Sequence, residues 1–88
     1  MKGIAEIEEL EIKTGVLVHR LIEYKQSYQD ILSKYDVRNH EKIKEKIASG
    51  SIEGHPAYED YLDAVAYLQE IEELERELDQ KVKTLKNL

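Results

Sequence analysis

The stretch that decides the fold is IEELEIKTGVLVHRLIEYKQSYQDILSKY, residues 7–35. Within it, Ile7, Leu10, Thr14, Leu17, Leu21, Tyr24, Tyr28, Ile31 and Tyr35 follow one another at steps of alternately three and four residues. That spacing keeps returning a side chain to one side of an α-helix. The stretch therefore predicts a long helix, about residues 3–35, carrying a coiled-coil-like seam over about four heptads. Thr14 is the one seam position that is not clearly apolar. Gly15 costs ~1 kcal/mol relative to Ala inside a helix. It is expected to mark either a close helix contact or a slight bend.

The end of the chain repeats the pattern. Ala57, Tyr61, Ala64, Leu68, Ile71, Glu75, Leu78, Val82 and Leu85 form a second seam of equal length, interrupted at Glu75. Pro56 suits the first turn of this helix, about residues 56–86, because its missing N–H is not needed there. Glu59, Asp60 and Asp63 near the start, with Lys81, Lys83 and Lys86 near the end, match the helix dipole.

Two equal seams pair naturally as an antiparallel hairpin. With Tyr35 beside Ala57, each helix spans ~45–50 Å at ~1.5 Å per residue. The register places Lys34 near Asp60 and Leu32 near Tyr58. It also brings Glu11 toward Asp79 and Lys13 toward Lys81, like-charge pairs that cost little when exposed. The seam sets the pairing; the charges select it only weakly.

Between the long helices lies DVRNHEKIKEKIASG, residues 36–50. Val37, Ile43 and Ile47 are expected to face inward from a short helix, about residues 39–49. Asn39 or Asp36 would cap it and Gly50 would stop it. Residues 50–55 form a connector, with Ile52 tucked against the core. The fold class is thus all-α: a hairpin of two long helices with a short helix at the elbow.

One hairpin cannot cover all the apolar residues. Ile4, Val18, Ile22 and Leu32 flank the first seam, and Tyr58, Leu62, Val65, Tyr67 and Leu74 flank the second. A two-helix seam needs only a narrow stripe, whereas a bundle needs a wider one. The expectation is a homo-oligomer, with a dimer as first choice, in which two hairpins form a four-helix bundle. The interaction residues would be Val18, Ile22, Leu32, Tyr58, Leu62, Val65, Tyr67 and Leu74. A different protein could satisfy the same surface, and swapped last helices would use the same seams. The six tyrosines gather at the elbow end: Tyr24, Tyr28 and Tyr35 close the first helix, and Tyr58, Tyr61 and Tyr67 open the last. Tyrosine joins an apolar face to a hydroxyl and so suits a half-buried layer or a docking surface.

At 88 residues the chain holds one domain, with a thin margin of stability that oligomerisation commonly relieves. Its 41% hydrophobic content and strict periodicity argue against disorder. The net charge of -6 argues against broad contact with nucleic acid or anionic lipid. The absence of cysteine excludes a disulfide scaffold and a thiolate zinc site, and fits a cytoplasmic location. No export signal or membrane span is read.

Chemistry finds little support. His55, Glu59 and Asp63 recur every four residues, a spacing that permits metal ligation, but carboxylates in a first helical turn already have a dipole reason to be there. His19 and His40 read as solvated, His40 in a surface turn. Asp60 with Asp63 and Glu70 with Glu73 are similar to the acidic pairs of helical magnesium-dependent nucleotide pyrophosphatases, yet such pairs arise from an acidic composition alone. No phosphate-binding glycine loop and no activated nucleophile are present. The reading is a protein that is not an enzyme and needs no cofactor.

Lys34-Tyr35, Ser49-Gly50-Ser51-Ile52, His55-Pro56 and Asp60-Tyr61 together resemble a group of small uncharacterised prokaryotic helical proteins. Some of that group are suspected partners in toxin–antitoxin pairs. The resemblance covers about residues 34–64 and implies an antitoxin-like or adaptor role; it assigns no catalytic residue.

Overall fold

The computed structural model describes residues 3–87. It contains three helices: α1 (Ile4–Tyr35), α2 (His40–Ala48) and α3 (Gly54–Lys86). No strand occurs among the described residues. The two long helices pack against each other as a hairpin, and α2 packs chiefly on α3 at the elbow. The molecule is a rod of 61 × 16 × 16 Å.

The α1 seam lies where its spacing places it. Leu17 is buried, and Ile7, Leu10, Thr14, Leu21, Tyr24, Tyr28, Ile31 and Tyr35 are half-buried. The helix runs unbroken through Gly15. On α3 the seam changes at one point. Glu75 is exposed and Leu74 is buried, so the inward series runs Ile71, Leu74, Leu78. A carboxylate resists desolvation, and a rotation of one residue puts a leucine in its place.

Local signals set the boundaries. Asp36 ends α1 in the left-handed conformation (φ 53°, ψ 53°), and its N–H bonds back to the Leu32 and Ser33 carbonyls. Asn39 caps α2: its side-chain oxygen accepts the Lys42 N–H at 3.2 Å. Gly50 adopts φ 75° just past α2, a conformation that costs glycine little. The range of α3 starts two residues before Pro56. His55 has extended backbone angles, however (φ -117°, ψ 126°), so the regular helix begins at Pro56.

The elbow holds the best-formed core. Ile43 is 0% exposed, Ala57 2% and Leu32 3%. Tyr28, Ile31, Tyr35, Val37, Ile47, Ile52 and Tyr61 pack around them. Two residues expected on an interaction surface belong instead to the chain's own interior. Leu32 is covered because α2 brings Ile43 to it, and Leu74 is covered because it takes the seam position that Glu75 vacates.

Candidate interaction surface

Lys34 Nζ donates to Asp60 Oδ2 at 2.8 Å, joining the end of α1 to the start of α3 as the register predicts. The Tyr35 hydroxyl donates to the same carboxylate oxygen. These two donors hold the Asp60 carboxyl below its ordinary pKa, Lys34 being the larger cause. Reciprocally, the hydrogen bond to Asp60 raises the Lys34 pKa, while burial, followed by Asp60, raises that of Tyr35. Lys46 Nζ closes the knot by donating to the Tyr35 carbonyl at 2.8 Å, which ties α2 to the end of α1.

A second polar contact was not visible in the spacing. His40 opens α2 rather than lying in a solvated turn, and its side chain is 17% exposed. Its Nδ1 and the Tyr28 hydroxyl share a hydrogen bond at 3.1 Å. Its ring lies 5.9 Å from that of Tyr61, centre to centre. Tyr24 and Tyr67 meet across the hairpin at 5.8 Å, and Tyr58 stacks on Tyr61 at 6.1 Å. The tyrosines thus form the expected layer, with His40 as an added member. The sequence signal that was available is the position of His40 directly after the cap Asn39, which makes it the first residue of a helix.

The metal-spaced residues do not converge. His55 Nδ1 and Glu59 Oε1 are 2.9 Å apart, and that contact lowers the Glu59 pKa. Among the described residues, no group of three or more potential ligands comes together, so Asp63 does not complete a set. Because His55 precedes the regular helix, the four-residue repeat does not place it on the face that carries Asp63.

What remains is apolar surface. Val18, Ile22, Tyr58 and Leu62 are exposed, Ile22 at 61%, whereas Val65 and Tyr67 are half-buried. Two further aliphatic residues of α1 are exposed. Ile12 (68%) and Val16 stand exposed at the edge of the α1–α3 contact, outside the flanks that the spacing predicts. They line a groove of about 300 Å³ with Leu17, Glu77 and Lys81. Lys13 and Lys81 do come near each other, lining a neighbouring groove with Glu6 and Glu9. Those carboxylates offset the like charges, and Lys13 bonds Glu9 at 3.0 Å.

A family model matches residues 3–86, from the start of α1 to the end of α3. The chain belongs to the Uncharacterized protein MJ0235 family. The match embraces both long helices and the elbow together. No curated protein and no solved structure matches the chain. No helix among the described residues is long and apolar enough to cross a membrane.

Proposed function

We propose that the protein is a non-enzymatic scaffold that acts by self-association, with a dimer as the basic unit. One observation carries the reading: large aliphatic side chains stand in solvent on a well-formed hairpin. Ile4, Ile12 and Ile22 are between 61% and 77% exposed. Single exposed hydrophobics are ordinary, but a set of them along one helix marks a surface that another chain covers. The same hairpin has few features that suit catalysis. The Tyr28 and Tyr35 hydroxyls and Asp60 at the elbow are engaged in holding its elements together. No cofactor is called for, and a cytoplasmic location suits a chain without cysteine.

A second reading rests on the elbow. Tyr58 and Leu62 are exposed on α3 beside the tyrosine layer, apart from the α1 residues. That patch suits a different protein as partner, which is the adaptor or antitoxin-like role.

Sedimentation equilibrium of the full chain over a wide concentration range tests the choice. A discrete dimer is expected. A monomer throughout would overturn self-association and favour the adaptor reading.

A further inference from the structure

Tyrosine carries the oxidation chemistry of this chain. There is no cysteine and no tryptophan, and the single methionine is residue 1. Beyond that residue, the six tyrosines are the side chains from which a one-electron oxidant most readily takes an electron, and the elbow makes one of them unlike the rest. A phenol that loses an electron becomes a strong acid. A base already hydrogen-bonded to the hydroxyl takes the proton and makes the electron easier to remove. Tyr28 has such a base: its hydroxyl lies 3.1 Å from His40 Nδ1. His40 Nε2 lies 3.4 Å from Glu41 Oε1, which places the proton of the neutral ring on Nε2 and leaves Nδ1 to accept the Tyr28 O–H. Tyr35 is the nearest rival. It donates to Asp60, and a carboxylate is a weaker base than imidazole by about 2–3 pKa units. Lys34 and Tyr35 weaken that carboxylate further.

The surroundings suit the products and supply a route. Tyr28 is half-buried against the elbow core, which keeps its radical from coupling to that of a second molecule. The dipole of α2 and Lys44 above the Tyr61 ring oppose a charged imidazole at His40; the Glu41 carboxylate beside Nε2 offsets them. Tyr58 is 51% exposed and stacks on Tyr61 at 6.1 Å. Tyr61 lies 5.9 Å from His40, and His40 6.2 Å from Tyr28, centre to centre. Aromatic rings thus lead in contact from solvent to Tyr28.

We propose that Tyr28 is the residue on which one-electron oxidation of this protein comes to rest, with His40 as its proton acceptor. The oxidant is a small diffusible radical. It takes one electron, directly from Tyr28 or through Tyr58 and Tyr61. The Tyr28 O–H bond breaks and an N–H bond forms at His40 Nδ1. The products are a neutral phenoxyl radical, an imidazolium and the reduced oxidant.

Oxidation of the full chain by azidyl radical, which becomes azide as it takes the electron, tests the assignment. High-field electron paramagnetic resonance of the frozen parent should show one main phenoxyl species, coupled to a proton that exchanges in heavy water. A radical without that coupling would overturn the proposal, and this readout needs no variant. Tyr28→Phe should shorten the radical lifetime several-fold and raise the yield of dityrosine, whereas Tyr24→Phe should change neither. A Tyr28→Phe variant with the lifetime of the parent would place the radical elsewhere and overturn the assignment.

Discussion

The two ends of the hairpin share one seam and are built differently. At the elbow a third helix lies against the seam, and Ile43, Leu32 and Ala57 are buried almost completely. Side chains bridge all three helices there: Lys34 and Tyr35 to Asp60, Lys46 to the Tyr35 carbonyl, His40 to Tyr28. At the open end, Ile7, Leu10, Val82 and Leu85 are only half-buried. The side-chain bonds around them stay within one helix, as in Lys13 with Glu9 and Lys83 with Asp79. Two helices can shield one side of a seam residue but leave its shoulders wet. A third element, α2, closes the shoulder at the elbow, and neither α1 nor α3 has such a neighbour at the open end.

The largest expected effect separates the two ends by core truncation. Ile43→Ala should cost about 2–5 kcal/mol, because it removes a fully enclosed side chain and leaves a cavity. Leu10→Ala removes a side chain already in partial contact with water and should cost about 1 kcal/mol in the monomer. Urea denaturation at low concentration measures both. Equal losses would break the distinction.

A smaller effect concerns pH. The depressed Asp60 pKa means that this group stabilises the fold above its ordinary pKa of about 3.9, and that the contribution is lost as pH falls through the folded value. The raised values of Lys34 and Tyr35 work oppositely. Their contribution is present below their ordinary values, about 10, and is lost as pH rises through the folded ones. Thermal melts should therefore show a plateau between these limits. Asp60→Asn should lower that plateau and flatten its acid edge. An unchanged acid edge would show that the Lys34–Asp60–Tyr35 knot contributes nothing.

The smallest effect sharpens the comparison locally. Asn39→Ala removes the cap of α2 and should cost about 1 kcal/mol. Because α2 closes the elbow, the same variant should speed amide exchange at Ile43 and Leu32 while leaving Leu10 as it was. A uniform change along the rod would mean that the ends are not distinct.

Much of this fold was legible before any coordinates. Every residue of the three-four series from Ile7 to Tyr35 is buried or half-buried on α1, and of the two cap candidates Asn39 starts α2 while Gly50 follows its end. The exceptions have physical reasons. The α3 seam failed at Glu75, where desolvating a carboxylate outweighs strict heptad phase and Leu74 turns inward. Leu32 was read as a surface residue because periodicity describes one helix and cannot say where a nine-residue neighbour will dock. The helical position of His40 follows from the Asn39 cap, but its contact with Tyr28 depends on the docking of α2. Ile12 and Val16 fall outside the heptad flanks, and only the packing of α3 shows that they border a groove with Glu77 and Lys81.

The most direct test of the central claim is amide hydrogen exchange along α1, residue by residue, at two protein concentrations on either side of the dimer dissociation constant. At the lower concentration, residues 7–20 should exchange faster than residues 28–35. At the higher, protection should rise around residues 7–20 and stay unchanged at the elbow, because a second copy supplies the missing cover. Uniform protection along α1 at both concentrations would contradict the account, since it would mean that the open end of the hairpin is already complete.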